Sequence, residues 1–181
     1  ELFKPYQIEA LEETIEEYEA AMTYSLDFAF AGHNLGNLYA TLGDAEKAAA
    51  FYEAAIEIDD LFYPAKANLA VLYNTQGRNQ EAEKLLREIV EDYPEQYEAA
   101  YSLGLLLAEL NRFDEAAVYL RRAAEGMPGH GRAWYNLGLL EQAQGRLPEA
   151  ERAFQTAIEI DPSNIDFLFA LAAHYIQRGE L

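Results

Sequence analysis

The hydrophobic positions of the chain recur in columns thirty-four residues apart. Leucine stands at Leu35, Leu69, Leu103, Leu137 and Leu171, and thirteen places after each of the first four comes Ala48, Ala82, Ala116 or Ala150. A large apolar group follows four residues later at Tyr52, Leu86, Leu120 or Phe154, and Ala55, Ile89, Ala123 or Ala157 lies three beyond that. Spacings of three and four put each trio on one helix face, and the leading alanine lets a second helix backbone come close. The columns predict an array of repeated helix pairs, with these leucines, Tyr52, Phe154 and Trp134 in the core.

Turn residues divide each period into two helices. Gly43, Gly77, Gly145 and Gly179 share a column with Asn111, and glycine and asparagine tolerate the left-handed conformation that ends a helix. Pro94, Pro128 and Pro162 share a column with Asp60, where proline stops the second helix and opens the next turn. First helices are predicted near 30–42, 64–76, 97–110, 131–144 and 165–178, and second helices near 45–58, 79–92, 113–125 and 147–160. A helical stretch near 6–22 precedes them. Its Tyr18 and Ala21 fall one period before Tyr52 and Ala55, so residues 1–28 resemble the second half of a repeat. Repeats then run over 29–62, 63–96, 97–130 and 131–164, with a partial one over 165–181.

These columns resemble the tetratricopeptide repeat, whose Trp, Leu-Gly, Ala, Phe and Pro positions are met in residues 131–164 by Trp134, Leu137, Gly138, Ala150, Phe154 and Pro162. Tyr39, Tyr73 and Tyr175 keep the family's tyrosine column, Leu107 substitutes an apolar residue, and Glu141 is a single deviation read as minor. The resemblance implies an all-α solenoid, a right-handed superhelix of antiparallel helix pairs in which each repeat is buried only against its neighbours. The segment 165–181 carries Phe167, Leu168, Phe169, Leu171, Tyr175 and Ile176 without a polar cap up to Leu181. Together with Phe3 and the missing initiator methionine, that suggests a piece of a longer array; the alternative is a helix face that pairs with another molecule, such as a second copy.

Composition narrows the partners. Of 181 residues, 51% are hydrophobic and 25% charged, which suits a folded domain and excludes disorder. No apolar run approaches the roughly 18 residues that a membrane span needs, and the start has no signal-peptide pattern. Without cysteine there are no disulfides and no thiolate chemistry, so cytoplasmic and periplasmic locations are equally compatible. The net charge of −19 repels phosphate backbones and argues against nucleic acid. It serves solubility, or steers a basic partner to the surface.

In the family it resembles, ligands lie along the concave surface of first helices. The groove residues expected from the columns are His33, Asn34, Asn37, Asn68, Asn74, Tyr101, Arg132, Tyr135 and Asn136. Asn34, Asn68 and Asn136 share the column just before the leucine, where an amide can donate to and accept from a peptide backbone or else bond helix to helix. Tyr101, Tyr135 and Phe169 add rings of the kind common at binding surfaces. The family's dicarboxylate clamp for chaperone C-termini is excluded. Asn37 and Asn68 match it, but His33, Glu98 and Ser102 stand where two lysines and an arginine belong, and an acid about 5 Å from a ligand carboxylate costs roughly 3 kcal/mol at an effective dielectric of 20.

Catalysis and cofactors find no support in the residues. His33, His130 and His174 fall in different repeats with no second ligand at helical spacing, and Gly126–Gly131 reads as an inter-repeat turn. The sequence thus indicates a non-enzymatic scaffold that binds a protein or peptide segment in a groove. Two other readings remain. Residues 33–39 and 100–106 resemble arrays attached to exported bacterial multihaem cytochromes, although no Cys-x-x-Cys-His site exists here. The terminal helix could also serve self-association.

Overall fold

A computed structural model describes residues 4–22 and 28–179; Phe3, Leu181 and the side chain of Ala21 lie outside the described residues. The described chain is all α-helix: α1 Pro5–Met22, α2 Phe28–Leu42, α3 Ala45–Ile58, α4 Tyr63–Thr75, α5 Asn79–Asp92, α6 Tyr97–Glu109, α7 Phe113–Gly126, α8 Gly131–Ala143, α9 Leu147–Ile160 and α10 Ile165–Arg178. The helices agree with the column reading to within about two residues at each end. They form a helical repeat solenoid gathered into two compact units, one ending at Asp92 and one starting at Tyr93. In the first unit α2 packs on α3, α4 on α5, and α1 and α3 on the helices that follow them. In the second, α6 packs on α7 and α8 on α9, with α7 against α8 and α9 against α10.

The turn column behaves as its residue types dictate. Gly43, Gly77, Gly145 and Gly179 have φ of 82°, 75°, 74° and 72°, and Asn111 joins them at 60°. The residue after each turn then bonds back five positions, Asp44 to Tyr39 at 2.9 Å, Arg78 to Tyr73 and Arg112 to Leu107 at 2.8 Å, and Arg146 to Glu141 at 2.9 Å. These bonds satisfy carbonyls that a helix end leaves open and fix where the second helix sets off.

Pairing within a repeat depends on the position after the leucine. A Cβ at Gly36 would lie 2.4 Å from the Tyr52 ring, one at Gly104 2.8 Å from Leu120, and one at Gly138 2.6 Å from Phe154. In these three pairs the large residue of the second helix therefore sits directly on the backbone of the first helix, whereas α4 carries Ala70 at the same position. Leu35, Tyr52, Leu69, Leu86, Leu103, Leu120, Leu137 and Phe154 are buried, as are Ala48, Ala82, Ala116 and Ala150 at 0% exposure. Two residues expected in the core are only half-buried. Trp134 borders a cleft of about 340 Å³ with Arg121, Glu141 and Arg152. Leu171 packs on the Ala150, Phe154, Ala170 cluster and stays partly open.

Glu141 is no minor deviation. It is 1% exposed, and Arg121 donates to its Oε1 at 2.5 Å while Arg146 donates to Oε2. Between the first and second repeats the same pair of columns holds Glu53 and Tyr73, joined by a hydrogen bond, with the Arg78 guanidinium 3.7 Å from the Tyr73 ring centre. Between the third and fourth repeats a base, Arg121, replaces the acid on the second helix, and an acid, Glu141, replaces the tyrosine on the first helix that follows. A buried carboxylate costs several kcal/mol to desolvate, and two guanidiniums offset that cost here.

Two stability outcomes follow from these contacts. Gly138→Ala should lower urea-unfolding stability by about 1–3 kcal/mol, since the Phe154 ring cannot shift without disturbing the core. Removing both Arg121 and Arg146 should be more destabilising than Glu141→Leu, because only the former leaves a charge buried and unpaired, at about 3–5 kcal/mol; thermal melts of the two variants decide the order.

Candidate functional site

In the first unit, His33, Asn34, Asn37 and Thr41 project from α2, and Asn68, Val71, Asn74 and Thr75 from α4. The Asn68 amide nitrogen donates 2.7 Å to Asn37 Oδ1 and lies 3.1 Å from His33 Nε2. Asn37 Oδ1 also accepts from the Tyr52 hydroxyl at 2.8 Å. A hydrogen-bonded chain thus runs His33, Asn68, Asn37, Tyr52. Among the described residues, no protein group bonds Asn37 Nδ2 or Asn68 Oδ1, and neither atom is a buried orphan. The chain borders an open cleft of about 510 Å³ lined by Asn37, Ala40, Thr41, Tyr52, Asn68, Val71, Leu72 and Thr75.

That lining carries no charged side chain. Val71 is 56% exposed and supplies apolar surface. The Thr41 and Thr75 hydroxyls donate to their own helix, to the Asn37 carbonyl at 2.8 Å and the Leu72 carbonyl at 2.7 Å, so each oxygen is left as an acceptor. Burial pulls the proton affinity of His33 below that of a free imidazole, with the neighbouring Asn34 side chain opposing. The ring is therefore neutral at pH 7 and can accept at Nε2. Burial raises the Tyr52 hydroxyl, partly countered by Asn68, which keeps it a donor. Asn34 serves a different purpose, donating at 3.2 Å to the Tyr18 hydroxyl and tying α2 to α1. Asn74 is half-buried and outside this cleft.

In the second unit the same columns carry rings and a cation. Asn136 Nδ2 donates 2.7 Å to the Tyr101 hydroxyl, repeating the Asn68 to His33 step between the same two columns. Tyr101 meets the His130 ring edge-on at 5.0 Å, and burial raises its hydroxyl against the opposing Asn136 and Arg132. Arg132 lies 5.2 Å from the Tyr135 ring centre and 5.4 Å from that of Phe167, and pairs with Asp166 at 3.2 Å. Both ends of that pair are exposed, so it orients the guanidinium more than it stabilises the fold. Tyr135 is half-buried, 5.2 Å from Phe167 and 6.3 Å from Phe154, so much of its ring belongs to the packing.

Sequence reasoning brought together His33, Asn37 and Asn68, and separately Tyr101 and Asn136. It missed the second role of Tyr52, assigned to the core alone although its hydroxyl reaches Asn37, and it missed His174. That histidine is fully buried, with Nδ1 3.2 Å from Gln142 Oε1 and Nε2 lacking a partner. The signal was present, since His174 completes the column of Leu38, Leu72, Leu106 and Leu140. Among the described residues no group of three or more His, Asp or Glu is placed to hold a metal ion, and no helix is long and apolar enough to cross a membrane.

Tetratricopeptide repeat models match residues 33–60, 68–130 and 131–164, together more than two thirds of the chain. Solved structures align over most of its length. YrrB, described as a TPR protein with an unusual peptide-binding site, superposes with a TM-score of 0.80 at 25% identity, covering 92% of this chain and 86% of YrrB. A MamA structure gives 0.76 at 25% identity, over 81% and 85% of the two chains. A tetratricopeptide repeat protein from Parabacteroides merdae shares the fold at 0.80 and 24% identity, over 97% and 70%. The curated proteins gave no significant match. With its period, its turn column and its helix pairs all accounted for, the chain belongs to the tetratricopeptide repeat family.

Proposed function

We propose that the chain is a non-enzymatic protein-interaction scaffold whose first-helix surface in the first unit receives an extended, uncharged peptide segment. The observation that carries this reading is the uncharged cleft with one amide donor, Asn37 Nδ2, and one amide acceptor, Asn68 Oδ1, left open by the protein. A peptide backbone offers the complementary acceptor and donor at every residue. Apolar contact with Val71 and Leu72 supplies affinity, and the amides supply orientation. In the second unit Tyr101, Arg132, Tyr135 and Asn136 form a separate contact surface of aromatic and cationic character. The peptide-binding site reported for YrrB supports the class of ligand. The net charge of −19 favours a partner with basic residues outside the cleft, by raising its encounter rate. An array held within a larger polypeptide, a multihaem cytochrome included, would use the same cleft for assembly.

A second reading concerns α10. Ile165, Leu168 and Ile176 are 79%, 46% and 64% exposed, and Leu168 and Ala172 occupy the columns of Gly32 and Gly36, which in the first repeat meet Ala55 and Tyr52 of a second helix. A second copy of the chain is the occupant that this stripe fits, through its α1, which has second-helix character. Phe167 is 2% exposed and so is unsuited to testing the idea.

Two measurements check these readings. On an array of uncharged ten-residue peptides at pH 7.5, Val71→Glu should reduce capture at least tenfold from a micromolar starting affinity, about −8 kcal/mol, while the circular dichroism and urea midpoint stay put. Undiminished capture by that variant would move the site off the first unit's cleft. For α10, multi-angle light scattering should give a concentration-dependent dimer that Leu168→Glu with Ile176→Glu reduces to monomer; a monomer from the unaltered chain at every concentration rules the second reading out.

A further inference from the structure

The hydrogen-bonded chain in the first unit has a direction, and one of its ends can take a proton. As drawn by the distances, Asn68 Nδ2 faces two acceptors at once, His33 Nε2 at 3.1 Å and Asn37 Oδ1 at 2.7 Å, and Tyr52 donates into the same Asn37 oxygen at 2.8 Å. Every member is amphoteric. A side-chain amide turned by 180° exchanges donor for acceptor with almost no change in shape, and a phenol hydroxyl can do either.

Resting on the peptide-cleft reading above, we propose that His33 selects the polarity of this cleft: protonation at Nε2 turns the Asn68 and Asn37 amides over and interchanges the donor and acceptor presented to a bound backbone. With Nε2–H in place, the imidazolium and Asn68 Nδ2 would be two donors facing each other at 3.1 Å. Turning Asn68 gives the imidazolium an oxygen to bond. The turned Asn68 oxygen then faces Asn37 Oδ1, so Asn37 turns as well and donates to it, and the Tyr52 oxygen accepts from the same Asn37 nitrogen. Asn37 Oδ1 and Asn68 Nδ2 now line the cleft in place of Asn37 Nδ2 and Asn68 Oδ1. A peptide held by the first pattern meets donor against donor in the second.

The surroundings leave His33 as the controlling group. Against its ring stand Tyr52 from α3 with ring centres 6.0 Å apart, Phe62 from the turn before α4 at 5.5 Å, and Asn68 from α4. Asn34 and Asn37 are its neighbours on α2. Tyr52 is the titratable member, raised by burial and neutral below pH 10. No carboxylate or ammonium group of the described residues is in hydrogen-bond or ring contact with His33, and Lys66, the cation on α4 that is buried, is engaged 2.8 Å from Glu88. Because burial lowers the imidazole, the exchange falls below pH 6.5 and the neutral pattern is complete at pH 7.5.

The test is an NMR titration of the 181-residue chain labelled with nitrogen-15 and carbon-13, from pH 7.5 to 4.5, paired with capture on the uncharged peptide array at pH 7.5 and 5. Nuclear Overhauser contacts from the Asn68 amide protons to the His33 ring should be present at pH 7.5 and fade with the midpoint of the imidazole. Peptides captured at pH 7.5 should bind at least tenfold more weakly at pH 5, and His33→Gln should flatten that ratio to under twofold. Asn68→Asp, whose side chain can only accept, should raise the His33 midpoint and weaken capture of the pH 7.5 peptides already at pH 7.5, because its inner oxygen turns Asn37 over as the imidazolium does. An imidazole that titrates while the Asn68 amide contacts stay in place overturns the selector and leaves the cleft reading standing. If the amides turn with the imidazole but Val71→Glu captures peptides as well as the unaltered chain does, the cleft reading fails and the proton-driven reversal survives it.

Discussion

Three of the helix pairs depend on a large side chain resting on the bare backbone of the partner helix, and the α4–α5 pair has Ala70 at that position. Tyr52 lies on Gly36, Leu120 on Gly104 and Phe154 on Gly138, at separations that admit no Cβ. Close approach of this kind brings many weak dispersion contacts into range at once. It also fixes the register of one helix against the other, since a shift of a single residue would press a ring into a side chain. The alanines at Ala48, Ala82, Ala116 and Ala150 do the same from the opposite helix, each fully buried. What a repeat can vary freely is therefore confined to positions off this seam.

The candidate cleft inherits its order from the seam. Tyr52 is pinned over Gly36 by its ring, which delivers its hydroxyl to Asn37 on the same first helix. Asn37 is thus oriented by a core residue, and Asn68 by Asn37 and His33 in turn. An amide whose hydrogen bonds are already made on one side has lost its rotamer freedom before any ligand arrives, so less ordering entropy is charged to binding. The second unit reaches a similar end by a different route, with the Tyr101 hydroxyl in place of the imidazole as acceptor for Asn136.

The period alone placed nearly every helix, because spacing, small residues and turn residues are written into the columns themselves. Burial was legible at eight of the ten expected core residues. Trp134 and Leu171 escaped because their exposure depends on what lies beyond their own helix pair. The asparagine column showed which residues share a face but not which atoms they bond, since the same residue type binds Tyr18 at Asn34, His33 and Asn37 at Asn68, and Tyr101 at Asn136. Glu141 was misjudged for a related reason: its meaning lies in a base two columns away, and reading one column at a time hides a paired exchange of Glu53 and Tyr73 for Arg121 and Glu141.

Such paired exchange separates the two sides of each repeat. On the side of the second helices, polar columns carry full charges that must be matched, as at Glu141, because an unmatched buried charge is costly. On the cleft side of the first unit the polar groups are amides, a phenol and an imidazole that is neutral at pH 7, which bond in either direction at little cost. A charged clamp recognises one sign of ligand and is fixed by its residues. An amphoteric chain recognises the alternation of donor and acceptor along a backbone, and its preference is set by whichever member is forced to choose. In the first unit that member is His33, whereas in the second the equivalent acceptor is a phenol that stays protonated across the physiological range, so the two units differ in what can control them while sharing one packing rule.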